Sequence, residues 1–139
     1  MEASEKRIDD VLQRMRCCID RGNITFVDPS TKQERPKNLV FLQTYNIESK
    51  GRLKVLKSLT TKHFCGEILD RIKDNPAYEE TMYVFGKRIV LETRIDRKRQ
   101  SVLIYIKIQF LTLTNGNDAT LIISFHKAEE ELQYMFKRR

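Results

Sequence analysis

One stretch near the end of the chain restricts the fold more than any other. Val102 to Leu111 reads as a long, largely buried strand, dense in β-branched and aromatic residues. Asn115-Gly116-Asn117-Asp118 follows as a turn, and Ala119 to His126 reads as a second strand. Asn-Gly and Gly-Asn steps suit the positive φ of tight turns, so this arrangement predicts a β-hairpin. The rest of the chain reads as scaffold for that sheet or as charge on its surface.

With 139 residues the chain is expected to form a single domain over 1–139. No apolar run approaches the roughly 20 residues that cross a bilayer. Met1 to Arg7 lacks the apolar centre of a secretory signal. The three cysteines are Cys17, Cys18 and Cys65, an odd number whose adjacent pair is poorly placed to bridge, which points to a reducing cytoplasm. A net charge of +7 favours an anionic partner, either nucleic acid or an acidic protein.

Taken in order, Ser4 is placed to cap a helix running to about Arg21, with Ile8, Val11, Leu12, Met15 and Ile19 on one face and Gly22 as its stop. Ile24 to Val27 is a short strand closed by Asp28-Pro29, and residues 30–37 are polar loop. Asn38 is placed to cap a short helix ending near Tyr45-Asn46, and a further helix spans about Ser49 to Ser58. Thr60 to Phe64 suits one helical turn, while Glu67 to Ile72 reads equally as helix or strand up to Asp74-Asn75-Pro76. Thr81 to Leu91 is a strand, and Ala128 to Phe136 is predicted to be a closing amphipathic helix that buries Leu132 and Phe136. The expected class is α+β: N-terminal helices packed on a mainly antiparallel sheet, with a short C-terminal helix.

Polar groups set into apolar strands are the candidates for chemistry. Tyr105 and Lys107 stand two apart and share a face with Leu103 and Gln109, while Ile104, Ile106 and Ile108 point the other way. Neighbouring strands are expected to add Tyr83, Phe85 and Lys87 from one side and Ser124 and His126 from the other. Such a face can hold phosphate on its lysines, stack a base on a ring and move a proton on its imidazole. Lys127 beside His126 favours the neutral imidazole, which suits a general base. The plainer alternative is that Lys107 snorkels at a sheet edge and Tyr105 only packs.

Other chemistries lack their residues. His63 and His126 are far apart and no paired Cys or His spacing for a metal is present. The carboxylate cluster of two-metal nucleases is missing from Leu103 to Asn117. There is no phosphate-binding glycine loop and no Gly-x-Ser-x-Gly elbow. Cys65 has no cue for a catalytic partner. Arg94, Arg97, Lys98 and Arg99 form the densest basic cluster, and Lys137-Arg138-Arg139 adds a basic tail; both suit phosphate contacts that carry no sequence information.

Four segments occur in order: Leu59 to Phe64, Tyr83 to Lys87, Ile104 to Ile108 and Ile123 to Glu129. The series resembles the MqsR family of bacterial type II toxin–antitoxin toxins over about the last eighty residues. The resemblance implies a RelE-like fold and a cytoplasmic endoribonuclease that cleaves messenger RNA without the ribosome, metal or other cofactor. It also implies a cognate antitoxin that neutralises the toxin. By the same resemblance Tyr105 is an acid or substrate-orienting group, Lys107 and Lys87 stabilise charge, and His126 is base or acid. Tyr83, Arg94, Arg97, Lys98, Arg99 and Lys127 are then the expected RNA contacts. The chain departs from the best-known branch at Cys65-Gly66, where a lysine is usual, and at His126-Lys127, where that branch places lysine first. Two other readings of the same residues stay open: a non-catalytic RNA-binding or regulatory relative, and a basic module that docks an acidic protein.

Overall fold

A computed structural model of the chain describes residues 4–27, 35–69 and 78–136. Helix α1 (Glu5–Asp20) begins where the Ser4 hydroxyl accepts from the Arg7 amide at 3.1 Å, and it ends before Gly22 at φ 74°. Ile8, Val11, Leu12, Met15 and Cys18 form its buried face, and Ile19 is only half-buried at the margin. After β1 (Ile24–Phe26) come α2 (Arg35–Thr44) and α3 (Ser49–Lys57). Asn38 lies inside α2 rather than capping it, so Pro36 and Lys37 are helical and not loop. Leu56 and Leu59 are fully buried at the end of α3, with Leu53 and Val55 packed at its edge.

A 3-10 turn (Thr61–His63) runs directly into β2 (Phe64–Leu69), so the stretch after Glu67 is strand as far as Leu69. Its remainder lies outside the described residues, as do the Asp28-Pro29 and Asp74-Asn75-Pro76 turns and the Lys137-Arg138-Arg139 tail. The long strands β3 (Tyr78–Glu92), β4 (Arg99–Thr112) and β5 (Asp118–Lys127) complete a five-stranded sheet in the order β1-β5-β4-β3-β2. All neighbours are antiparallel except β1 with β5. The β4–β5 turn carries Gly116 at φ 86°, the left-handed conformation its Asn-Gly sequence predicts. The protein is therefore α+β, with its helices packed on a mostly antiparallel sheet.

One face of the sheet, built from Phe85, Ile104, Ile106, Ile108, Phe110, Ile122 and Phe125, forms the core with α1 and α2. Fully burying one such side chain contributes about 1.5–3 kcal/mol, so this layer dominates stability. Arg14 fastens α1 to the sheet by ion pairs to Glu79 at 2.5 Å and Asp118 at 2.8 Å, its guanidinium 4.1 Å from the Phe110 ring centre.

The closing segment departs from its helical expectation. Residues 128–136 form a strap that crosses the sheet on the face away from the helices. It leaves β5 with the Ala128 amide donating to Leu103 at 2.8 Å and reaches β2 with the Met135 amide donating to Phe64 at 3.0 Å. Leu132 packs on Gly86, and the Phe136 ring stacks on Phe64 at 5.8 Å. Spanning from the β5 end to the β2 edge demands extended chain, so Leu132 and Phe136 gain their partial burial without a helix. No helix among the described residues is long and apolar enough to cross a membrane.

Candidate functional site

Residues paired across antiparallel strands share a face, so the register decides which side chains meet. Tyr105 pairs with His126 on β5 and Gly86 on β3; Lys107 pairs with Ser124 and Val84. Tyr105, Lys107, Ser124 and His126 therefore stand together on the face that the strap crosses. The register shifts between Lys107 and Ile108, leaving Ile123 as an extra residue in β5. Strict alternation would put Ser124 and His126 on the same face as Ile122, in the core. The bulge turns them to the other side, a common device for re-aiming a side chain beside a functional site.

Tyr83, Phe85 and Lys87 do not join this face. They pair with Ile108, Ile106 and Ile104, which places all three toward the helices. An offset of one residue in the β3–β4 pairing is enough to exchange the faces. Tyr83 is buried beside Arg7, whose Nη2 lies 3.4 Å from its hydroxyl, so its ring offers no stacking surface. Lys87 Nζ donates to Ser58 Oγ at 2.6 Å, and burial followed by the charge of Lys62 lowers its pKa. Its neighbour His63 accepts from the Thr60 amide through Nδ1 at 2.9 Å. Burial, then the charges of Lys87 and Lys62, push His63 down to about 4.

His126 occupies the most built position. Its ring stacks on Tyr105 with centres 5.4 Å apart and planes 23° from parallel, and the residue is only 5% exposed. Nδ1 lies 3.0 Å from the Lys127 carbonyl. A carbonyl only accepts, so this contact places a ring proton on Nδ1, while Nε2 is buried.

Asn38 holds the strand that carries His126. Its Oδ1 accepts from the Phe125 amide and its Nδ2 donates to the Ile123 carbonyl, each at 3.0 Å. Among the described residues β1 pairs with β5 only as far as Ile122, and the Asn38 side chain takes up β5 backbone groups beyond it. The same helix brings Lys37 to Glu129, an ion pair of 2.5 Å. The hydrogen bond and charge of Lys37 hold the Glu129 carboxyl below its usual range. Lys37, His126 and Glu129 line two cavities at once: a cleft of about 700 Å³ against α2 and a hollow of about 320 Å³ over Tyr105, walled by Leu132 of the strap.

The remaining expected contacts are dispersed. Lys127 is exposed at the larger cleft. Arg94 anchors the β3–β4 turn by donating from Nε to the Leu42 carbonyl at 2.7 Å. Arg97, at φ 55°, Lys98 and Arg99 are exposed at that turn. Arg99 is six residues along β4 from Tyr105, roughly 20 Å at strand rise. Burial pushes the Cys65 thiol up to about 11, which makes it a poor nucleophile at neutral pH. Among the described residues no group of three or more His, Cys, Asp or Glu side chains is placed to hold a metal ion.

Sequence reasoning missed Lys37, Asn38 and Glu129 as parts of the site. Lys37 and Asn38 sit in a polar stretch without periodicity, and nothing local links either to β5 or the strap. Compared with models of known protein families, with curated proteins and with solved structures, the chain finds no match.

Proposed function

We propose that this protein is a toxin of the type II toxin–antitoxin kind that cuts messenger RNA independently of the ribosome. The observation that carries this reading is the Tyr105–His126 stack, with Lys107 one strand pair away and the His126 proton held on Nδ1. In the proposed reaction Nε2 of His126, which is buried and has to be uncovered first, takes the proton of a ribose 2′-OH as that oxygen bonds to the adjacent phosphorus. The bond from phosphorus to O5′ breaks, and the Tyr105 hydroxyl supplies the proton that O5′ needs. Lys107 offsets the charge that builds on the crowded phosphate. The products are a 2′,3′-cyclic phosphate and a 5′-hydroxyl, and base, acid and positive charge all come from side chains.

Lys87 has no part in this step, since it stands on the helix side of the sheet. A cognate antitoxin and a cytoplasmic setting complete the proposal. The family resemblance supports the antitoxin, a net charge of +7 suits an acidic partner, and free Cys17, Cys18 and Cys65 suit a reducing compartment.

The burial of His126 favours one second reading, a non-catalytic RNA-binding relative that uses the same basic surface. One experiment separates the two. Purified wild type and His126→Ala are incubated with a long defined RNA in EDTA, and new 5′ ends are mapped. Discrete 5′-hydroxyl ends in wild type alone support the nuclease. Intact RNA with a folded, RNA-binding protein rejects it in favour of the binding reading.

A further inference from the structure

We infer that residues 128–136 are an autoinhibitory strap: its glutamates take the place of substrate phosphate over Tyr105 and His126, and the site works only when the strap lifts. Its link to RNA cleavage rests on the nuclease reading, whereas the blockade itself rests on geometry.

Charge is the first part of the argument. Gly86 pairs with Tyr105 and Arg88 with Leu103, so Arg88 belongs to the same side of the sheet as Tyr105 and Lys107. With Lys37 brought in by α2, this side is basic, as suits a surface for a polyanion. The strap that crosses it has the opposite sign, for Glu129, Glu130 and Glu131 follow Ala128 without a break. Glu129 and Glu130 line the hollow over Tyr105 together with His126, Lys37 and Leu132. Glu129 holds Lys37 in an ion pair of 2.5 Å. A carboxylate resembles a phosphate in charge and in its acceptor oxygens, so it satisfies the same cation. A phosphate that enters this hollow meets two like charges, and it gains Lys37 only by displacing Glu129.

Cover is the second part. His126 is only 5% exposed and its Nε2 is buried, so a ribose hydroxyl has no route to that nitrogen while the strap is down. Ala128, Glu129, Glu130 and Leu132 are the strap's contribution to the wall beside the imidazole.

The strap is also fastened lightly. Its exposure alternates, with Leu132, Tyr134 and Phe136 half-buried toward the sheet and Gln133 and Met135 exposed. Backbone bonds to the sheet hold it at its two ends, at Ala128 and at Met135. Between and beyond these, Leu132 rests on Gly86 and the Phe136 ring on Phe64. A segment held by a few half-buried side chains opens locally while the rest of the fold stays intact.

The test compares wild type with full-chain variants. Leu132→Ser with Phe136→Ser removes the apolar holds, whereas Glu129→Gln with Glu130→Gln keeps them and removes the mimicry. Asp9→Asn with Glu48→Gln makes the same change of net charge at exposed positions on the helices. Three quantities are read at one salt concentration: the rate at which diethyl pyrocarbonate modifies His126, mapped by mass; affinity for an uncleavable 2′-O-methyl RNA; and cleavage of one long defined RNA in EDTA. A covered site has its affinity scaled down by its open fraction, so both strap variants should bind and cut RNA about tenfold better than wild type. His126 in the first variant should be modified about tenfold faster. If the first variant is folded yet its His126 reacts as slowly as in wild type, the autoinhibition is overturned. It is overturned too if neither strap variant gains, or if the helix-charge control gains as much, and cleavage by wild type then leaves the nuclease standing. Tighter binding in both strap variants with the RNA left intact keeps the strap as a gate on binding and removes the nuclease reading. If the first variant unfolds, the glutamine variant decides alone, its gain over the charge control supporting the strap and the lack of one overturning it.

Discussion

Leu132 lies where a side chain on Gly86 would have to be: a Cβ built on Gly86 runs into Leu132 Cδ1. The glycine is a notch in β3 that lets the strap sit flat on the sheet beside Tyr105. Gly86→Ala is therefore expected to lift the strap and destabilise the protein by about 1–3 kcal/mol. Urea unfolding measures the loss, and faster chymotryptic cleavage near Tyr134 reports the lifted strap. Adding Leu132→Ala should relieve part of the clash, a coupling that a double-mutant cycle detects. Additive losses would mean that the contact does not hold the strap.

Asn38 is the second clasp. Asn38→Ala leaves the Phe125 amide and the Ile123 carbonyl without their partner beside the bulge, at an expected cost of about 1–3 kcal/mol by chemical denaturation. RNA cleavage should fall further than the unfolded fraction accounts for, because the strand carrying His126 loses its register support. Full activity per folded molecule would show that the bulge holds itself.

Tyr105→Phe separates the hydroxyl from the ring. The stack on His126 survives, so stability should change little, whereas loss of the acid lowers cleavage by about 10²-fold or more. A substrate with a p-nitrophenyl leaving group needs no proton at that oxygen and should be cleaved nearly as well by the variant. Equal losses on both substrates would leave Tyr105 an orienting group only.

His63 gives stability a pH dependence of known sign. Its folded pKa is lowered to about 4 from an ordinary value near 6.5, so between these values the unfolded chain binds the extra proton. Stability is then full above about pH 6.5 and falls as pH drops toward 4, by about 1–3 kcal/mol after allowing for partial exposure. His63→Asn should flatten that part of the curve, and the ring resonances of His63 should titrate near the lower value. A ring that titrates near 6.5 in the folded protein contradicts the assignment.

The cysteines should react in order of exposure. Cys17 is exposed and should be labelled first by a thiol-specific disulfide reagent at pH 8, whereas Cys65, with its thiol pushed up to about 11, and buried Cys18 should lag far behind. Mass mapping of the modified peptides reads the order. Rapid labelling of Cys65 would reopen it as a nucleophile.

Local chemistry made much of the framework legible in the chain itself. The Ser4 cap, the Gly22 stop, the apolar face of α1 and the Asn-Gly turn each depend on residues a few positions apart, so periodicity and turn preference identify them. The short β4–β5 turn also made the meeting of Tyr105 and Lys107 with Ser124 and His126 foreseeable, although the bulge at Ile123 is what turns the last two outward. Tertiary structure alone decided the rest. The β3–β4 connection passes through Arg97 at φ 55°, a conformation no residue type there announces, and the resulting register sends Tyr83 and Lys87 to the helix side. The apolar spacing of Leu132 and Phe136 fits a helix, yet Gly86 and Phe64 draw those side chains out into a strap. Asn38 and Lys37 became site residues only once α2 lay against β5 and the strap. Side-chain alternation is a property of a strand by itself, but which face meets which partner depends on pairing between distant segments, and that offset is settled only when the whole sheet packs.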